Sequence, residues 1–98
     1  MSLAINFSQV EFVSLQLKVL SNPDRLKILC VLLNGALNVQ EIEELAAIQQ
    51  PTLSQQLTAL RTANMVSTTR QGKYIYYQCT DPKIHALIEH LHELYCKA

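Results

Sequence analysis

The spacing of apolar residues changes once along this chain, and that change limits the folds available to it. Before residue 65 and after residue 81, apolar side chains recur every three or four positions, a pattern that predicts amphipathic helices. Between these regions, "VSTTR" and "YIYYQC" are rich in β-branched and aromatic residues, and the three residues Gln71, Gly72 and Lys73 separate them. This arrangement predicts a two-stranded β-hairpin. The expected fold class is therefore mainly α with one hairpin.

Capping residues divide the helical part into five predicted helices. Asn22 followed by Pro23 begins the second helix, and Pro51 begins the fourth. Asn38, with Glu41 three residues later, predicts a capping box at the start of a short third helix. The five predicted helices cover about residues 5–20, 23–33, 39–46, 51–64 and 82–96.

Each predicted helix has one apolar face. Cys30 lies on the face of the second helix, where a cysteine is most simply a small core residue. The faces predicted to be apolar are Val10, Val13, Leu17 and Leu20; Leu26, Leu29, Cys30 and Leu33; Val39, Ile42, Leu45 and Ala46; Leu53, Leu57 and Leu60; and Ile84, Leu87, Ile88, Leu91 and Tyr95.

Composition excludes several classes of protein. The chain has 98 residues, 49% of them apolar and only two of them glycine, and no apolar run reaches the length of about 18 that a membrane span needs. One soluble domain over residues 1–98 is expected, and its first residues lack the pattern of a secretory signal, which favours the cytoplasm. Three cysteines in that compartment argue against a disulfide framework. No partnered nucleophile, phosphate loop or carboxylate pair is recognisable, so neither an enzyme nor a bound cofactor is expected.

The polar residues of the fourth helix and the hairpin point to DNA. In the predicted order of elements, residues 39–64 form a helix-turn-helix and residues 65–79 form a wing. The net charge is zero, but the outward face of the fourth helix carries uncharged hydrogen-bonding groups, which suit base edges and phosphates. A solvated helix face, or a winged helix that docks on proteins, is the alternative. The predicted DNA contacts are Gln50, Thr52, Ser54, Gln55 and Gln56 in the helix-turn-helix and Arg70, Gln71, Lys73 and Tyr74 in the wing.

Three segments resemble the ArsR/SmtB family of bacterial winged-helix repressors. They are "LSNPDRLKIL", "QPTLSQQLTALRTANMV" and "RQGKYIYYQC", and the resemblance covers nearly the whole chain from about Leu15. It implies a winged helix-turn-helix of order ααααββα and a homodimer formed through the helices at about residues 5–20 and 82–96. It also implies that two recognition helices read an inverted-repeat operator in double-stranded DNA, and that a ligand changes the affinity for this operator.

Many members of this family sense metals, but the family's metal-ligand positions are poorly matched here. Asn38 and Gln40 stand where arsenic and lead or cadmium sensors carry a thiolate pair. The positions of the zinc-type site hold Asp81, which matches, and Lys83, Leu94 and Lys97, which do not. No metal site is therefore predicted. A metal-responsive repressor that uses His85, His92 or the cysteines is the alternative.

Two cysteines resemble those of a particular branch of the family. "ILC", which ends at Cys30, and "LYC", which ends at Cys96, resemble the branch of HlyU, BigR, SqrR and YgaV, whose paired cysteines respond to reactive sulfur or oxidants. The resemblance implies that a persulfide or an oxidant is the inducer and that crosslinking of Cys30 and Cys96 switches DNA binding. Which sulfur reacts first, and whether the regulator represses or displaces a silencer, stays open. Cys79 is predicted to be an unpaired strand residue.

Overall fold

In the computed structural model, the second, third and fourth helices begin at or next to the predicted capping residues. The first helix begins at Val10 and not near residue 5, because residues 8–9 form a turn, and the Asn6 side chain accepts a hydrogen bond from the backbone N–H of Ser8 at 2.8 Å. The structure describes residues 4–96. The Asn22 side chain accepts a hydrogen bond from the backbone N–H of Arg25 at 3.0 Å. Asn38 and Glu41 form the predicted capping box, in which each side chain accepts from the other residue's backbone N–H at 2.9 Å. The α-helices of the described part are α1 (Val10–Leu20), α2 (Pro23–Val31), α3 (Val39–Ala46), α4 (Thr52–Thr62) and α5 (Pro82–Tyr95).

The predicted hairpin is confirmed, and a third short strand joins it. The strands are β1 (Leu37–Asn38), β2 (Val66–Gln71) and β3 (Tyr74–Cys79), arranged antiparallel in the order β1-β3-β2. Gln71 pairs with Tyr74, so the loop has two residues, Gly72 and Lys73, rather than three. Gly72 has a left-handed φ of +62°. The structure adds β1 between α2 and α3 to the predicted order ααααββα. Periodicity does not predict this strand, because it has only two residues and forms by pairing with β3, which is distant in the sequence.

The centre of the hydrophobic core is α2, which contacts α1, α3, α4 and α5. Its buried residues are Ile28 and Leu29, and the buried Leu32 follows in a single 3-10 turn. Because neighbours pack on α2 from several sides, its buried surface is rotated from the predicted stripe. Three residues of that stripe lie only half-buried, at the edge of the core: Leu26, Cys30 and Leu33. Cys30 is therefore a residue of the core's edge rather than of its interior.

Several apolar residues are exposed on the single chain. Val10, Val13 and Leu17 of α1 are exposed by 53%, 46% and 51%. Leu45 of α3 and Tyr95 of α5, both predicted on buried faces, are exposed by 63% and 82%. Hydrophobic periodicity identifies an apolar face, but it does not say whether that face packs within the same chain. No helix within residues 4–96 has the length and apolar composition needed to cross a membrane.

Candidate functional site

The helix-turn-helix consists of α3 and α4, and α4 has one buried and one solvent-exposed face. After α3, Ala47 adopts a left-handed φ of +55° and turns the chain toward α4. The buried residues of α4 are Leu53, Leu57 and Leu60. The exposed residues opposite them include Ser54, Gln55 and Thr58. Thr52, in the first turn, is half-buried. The predicted polar face of the recognition helix is therefore accessible.

Residues at and near the N-terminus of α4 form hydrogen bonds with one another through their side chains. The Gln50 amide oxygen accepts hydrogen bonds from the backbone N–H of Ser54 at 3.0 Å and from its hydroxyl at 2.7 Å. The Thr58 hydroxyl donates to the Ser54 carbonyl at 2.9 Å. These bonds satisfy a backbone N–H of the first turn and orient the Ser54 hydroxyl. Gln55 is exposed and takes no part in them.

Gln56 differs from its neighbours because its side chain forms a hydrogen bond with a residue of α2. Gln56 is half-buried, and its amide oxygen accepts a hydrogen bond from Nε of Arg25 at 2.8 Å. Nη1 of the same guanidinium donates to the carbonyl of Val19 at 3.1 Å, near the end of α1. Arg25 thus joins three helices, a role that sequence reasoning missed because its side-chain partner is 31 residues away.

The wing carries its predicted polar residues at an exposed tip. Arg70, Gln71, Lys73 and Tyr74 are all exposed. Nε of Arg70 donates to the carbonyl of Gly72 at 3.0 Å, which braces the turn. The Lys73 ammonium lies 5.5 Å from the centroid of the Tyr74 ring, a cation–π distance. Two cations therefore stand close together at the end of the hairpin.

Two of the three cysteines line one cavity of about 340 Å³ between α2 and α5. Cys30 is half-buried in its wall, Cys96 is exposed, and the two thiols are free. The rest of the lining consists of the aliphatic side chains of Leu26, Ile88 and Leu91, together with Tyr95 and His92. A second cavity of about 460 Å³, between α2 and α3, is also bordered by Cys30 and is lined by Lys27 but not by Cys96. Among residues 4–96, no lysine, arginine or carboxylate lines the cavity with both sulfurs, which is called the thiol pocket below.

The environment of Cys30 disfavours its thiolate. Burial, and then the charge of the nearby Cys96 thiolate, raises the pKa of the Cys30 thiol. This electrostatic interaction and the shared pocket place the two sulfurs in one local environment. Cys79 lies elsewhere, at the end of β3, where its thiol donates to the Asp81 carbonyl at 3.8 Å. Burial raises its pKa as well. The fold therefore separates Cys79 from the other two cysteines.

The histidines are used in different ways. Nε2 of His85 lies 3.1 Å from the carbonyl of Leu33, so this ring links α5 to the end of the 3-10 turn. His92 lines the thiol pocket. Within residues 4–96, no three side chains of His, Cys, Asp or Glu form a group able to hold a metal ion. Lys97, which the resemblance places at a zinc-ligand position, lies outside the described residues.

Comparisons with known proteins agree with this architecture. The family described as "Bacterial regulatory protein, arsR family" matches residues 22–68, from the cap of α2 into β2. The biofilm growth-associated repressor of Agrobacterium fabrum strain C58 is 44% identical over 84 residues, which cover 86% of this chain and 72% of the repressor.

Solved structures extend the match to the complete winged helix. The crystal structure of the transcriptional repressor BigR from Xylella fastidiosa is 40% identical, with a TM-score of 0.86 and coverage of 92% of both chains. Reduced HlyU from Vibrio cholerae N16961 is 36% identical, with a TM-score of 0.82 and coverage of 87% of this chain and 90% of HlyU. The chain therefore belongs to the arsR family of bacterial regulatory proteins and is a winged helix-turn-helix transcriptional regulator.

Proposed function

We propose that this regulator binds an inverted-repeat operator as a homodimer, and that reactive sulfur or an oxidant switches the binding by crosslinking Cys30 and Cys96. The observation that carries the proposal is the thiol pocket, in which both sulfurs line one cavity between two helices. The solved Vibrio cholerae structure is of reduced HlyU; a defined redox state for that protein is consistent with such a switch here.

The DNA-binding part of the proposal uses α4 and the wing. An exposed glutamine such as Gln55 can bond to both edge groups of an adenine in the major groove. Thr52 and Ser54, in the first turn of α4, are placed to reach phosphates or bases. The phosphate and minor-groove contacts of the wing are assigned to its exposed tip: Arg70, Gln71, Lys73 and Tyr74. Gln50 and Gln56 then serve mainly to hold α4 in place, through the bonds to Ser54 and Arg25.

The homodimer is proposed because apolar side chains lie exposed on the two outer helices. Val10, Val13 and Leu17 of α1 and Leu94 and Tyr95 of α5 are each exposed by close to half or more. Removing such side chains from water favours association by about 25 cal/mol for each Å² of apolar surface buried. A two-fold dimer also matches an inverted repeat, because each recognition helix then meets one half-site.

A persulfide can supply the oxidising equivalents for the crosslink. The Cys96 thiolate, at the exposed rim, attacks the outer sulfur of R–S–SH and displaces RS⁻, which leaves a persulfide on Cys96. The Cys30 thiolate then attacks the inner sulfur of that persulfide and displaces HS⁻. Two protein thiols and R–S–SH are thereby converted to one disulfide, RSH and H₂S. Cys96 acts first because it is accessible, whereas burial raises the pKa of Cys30.

Serine substitutions test this switch. The operator probe is an inverted repeat selected from random DNA by the reduced protein, and affinity is measured by fluorescence anisotropy. Treatment of the wild type with an organic persulfide is expected to weaken binding and to remove two hydrogens from the intact mass. Cys30→Ser and Cys96→Ser are each expected to bind the operator when untreated and to keep binding after treatment.

Cys79→Ser is the matched control, since this cysteine lies apart from the pocket, and it is expected to respond like the wild type. Release of DNA from the Cys30→Ser/Cys96→Ser double variant by persulfide would overturn the thiol switch. Release by stoichiometric zinc, with no change in covalent mass, would support a metal-responsive repressor instead. A reduced protein that selects no DNA would favour a protein-docking module.

A further inference from the structure

We propose that the second cavity, between α2 and α3, is a binding site for a small monocarboxylate with an apolar chain. This cavity, called the α2–α3 groove below, has a volume of about 460 Å³. Small-molecule sites in proteins have volumes of this order, with mostly apolar walls and a few polar groups that orient the ligand. The site goes beyond the proposed function, because it involves no reaction at sulfur.

The wall of the α2–α3 groove is aliphatic on both sides. Leu26 and Val31 line it from α2, and Leu45 and Ala46 line it from α3. Leu45 is 63% exposed on the single chain, so much of its apolar surface is in contact with water. A ligand whose alkyl chain covers this surface removes it from water, which favours binding.

Lys27 supplies a charged group beside this wall. Among residues 4–96 it is the one charged side chain that lines the groove, and it is exposed. Within the same residues Lys27 forms no ion pair, so its ammonium is available to a ligand. The acidic side chains of α3, which are Glu41, Glu43 and Glu44, do not line the groove. One compact ammonium beside an aliphatic wall matches a ligand with one negative charge and one apolar chain.

The groove lies apart from the surfaces assigned to the dimer and to DNA. The proposed dimer faces belong to α1 and α5, and the proposed DNA contacts belong to the α4 region and the wing, whereas the groove is lined from α2 and α3. Leu26 and Cys30 line both the groove and the thiol pocket, but Cys96 lines only the latter. A ligand in the groove therefore contacts α2 and the first helix of the helix-turn-helix.

Three matched ligands separate the contribution of charge from that of apolar surface. Hexanoate and hexanamide have the same chain and differ in charge, while butanoate keeps the charge and lacks two CH₂ groups. Binding to the reduced full chain is followed by two-dimensional ¹H–¹⁵N NMR titration, in which the backbone amides of Leu45 and Ala46 report on the groove. Hexanoate is expected to shift these amides and to bind about fivefold more tightly than hexanamide, because of the ion pair with Lys27. It is also expected to bind about fivefold more tightly than butanoate, because it buries more apolar surface.

Three variants assign these preferences to particular residues. Lys27→Gln removes the ammonium and is expected to make the Kd values of hexanoate and hexanamide equal. Lys83→Gln is the matched control, because Lys83 is also an exposed lysine of a helix but does not line the groove, and it is expected to keep the fivefold preference. Leu45→Gln makes the wall polar and is expected to weaken both ligands while their ratio stays the same. Lys27 and Leu45 are exposed, so neither change opens the core, and circular dichroism checks the fold.

Several outcomes would overturn the proposal. They are equal affinities of hexanoate and hexanamide for the wild type, a preference that survives Lys27→Gln or is lost in Lys83→Gln, and shifts confined to residues outside the groove. Groove amides that do not respond to hexanoate but shift when the protein is diluted to monomers would show that a second copy of the chain covers the groove. Cys96→Ser, in which the proposed switch is disabled, is expected to bind hexanoate like the wild type, so the groove and the switch are tested independently.

Discussion

The outward face of α4 and the thiol pocket are built from opposite chemistry, although both α4 and the pocket adjoin α2. The α4 face consists of hydroxyl and amide groups, several of them already bonded to one another, as Gln50 and Thr58 are to Ser54. The pocket consists of aliphatic and aromatic surface around two free thiols. The first surface offers hydrogen bonds to solvent, whereas the second surrounds its thiols with largely apolar side chains. Their separation means that a reaction at the thiols has to be transmitted through the protein to affect DNA.

The connection between the two regions runs through α2. This helix contacts both α4 and α5, with Cys30 near its C-terminal end and Arg25 in its first turn. A bond between Cys30 and Cys96 constrains α2 relative to α5. Arg25, through Gln56, holds the other end of α2 to the recognition helix.

Gln55→Ala is expected to produce the largest effect. Loss of a bidentate contact to adenine costs about 1 to 3 kcal/mol, so operator affinity of the reduced protein should fall by about fivefold to 150-fold. The side chain is exposed and outside the bonds at the N-terminus of α4, so folding and dimerisation should be unchanged. Fluorescence anisotropy measures the affinity, and sedimentation measures the dimer. Gln78→Ala is the control, because Gln78 is an exposed glutamine on β3 outside the proposed contacts.

Wild-type affinity in Gln55→Ala would remove the recognition-helix assignment. An equal loss of operator affinity in Gln78→Ala would show that the effect of Gln55→Ala does not come from a specific contact between Gln55 and a base. The selected operator also offers a check from the DNA side. Replacing the contacted adenine should weaken the wild type and leave Gln55→Ala nearly unaffected.

The local parts of the fold were predictable from the sequence, and the tertiary parts were not. The caps at Asn22 and Asn38 and the hairpin depend on neighbours within a few residues, so their residue types carried the signal. The exposure of Leu45 depends on which faces the other helices cover, and no periodicity reports that. The same holds for the bond between Arg25 and Gln56. The proposed pairing of Cys30 with Cys96 rests on a family resemblance, because nothing local marks either residue as reactive.

The pH dependence of crosslinking tests the apolar side of the comparison. Burial raises the pKa of Cys30, so its thiolate is scarce at neutral pH even when Cys96 is held in an uncharged mixed disulfide. Below that pKa the thiolate fraction rises about tenfold for each pH unit, and closure of the disulfide should accelerate by the same factor. The measurement starts from protein carrying a mixed disulfide on Cys96 and follows disulfide closure by quenched mass spectrometry between about pH 6 and pH 8.

Leu91→Gln provides the comparison for this measurement. It makes the pocket wall polar, which should lower the pKa of Cys30 by easing desolvation and should increase the closure rate at neutral pH. A closure rate that does not change with pH would mean that a conformational step, rather than the Cys30 thiolate, limits the reaction. Operator affinity of the reduced protein serves as the internal reference, since the proposed DNA contacts include no cysteine.

Arg25→Ala is expected to give the smallest change, and the change should appear in the coupling between the two regions. Loss of the hydrogen bonds to Gln56 and Val19 should lower the coupling free energy between the two regions by about 1 kcal/mol, or about fivefold. The reduced protein should still bind the operator, and the thiols should still form the disulfide. The ratio of operator affinities before and after crosslinking should fall by about fivefold. Anisotropy on reduced and crosslinked samples of the same preparation measures this ratio.

A double-mutant cycle with Gln56→Ala separates coupling from structural damage. If the Arg25–Gln56 bond transmits the effect, the double variant should lose no more of the affinity ratio than Arg25→Ala alone, because each single change already removes the link. Arg25→Lys keeps the charge but lacks the Nε donor that bonds Gln56, so it should resemble Arg25→Ala. Additive losses, or a fall in thermal stability with an unchanged affinity ratio, would mean that Arg25 only supports the fold. The apolar pocket and the polar face would then communicate through the core residues of α2 instead.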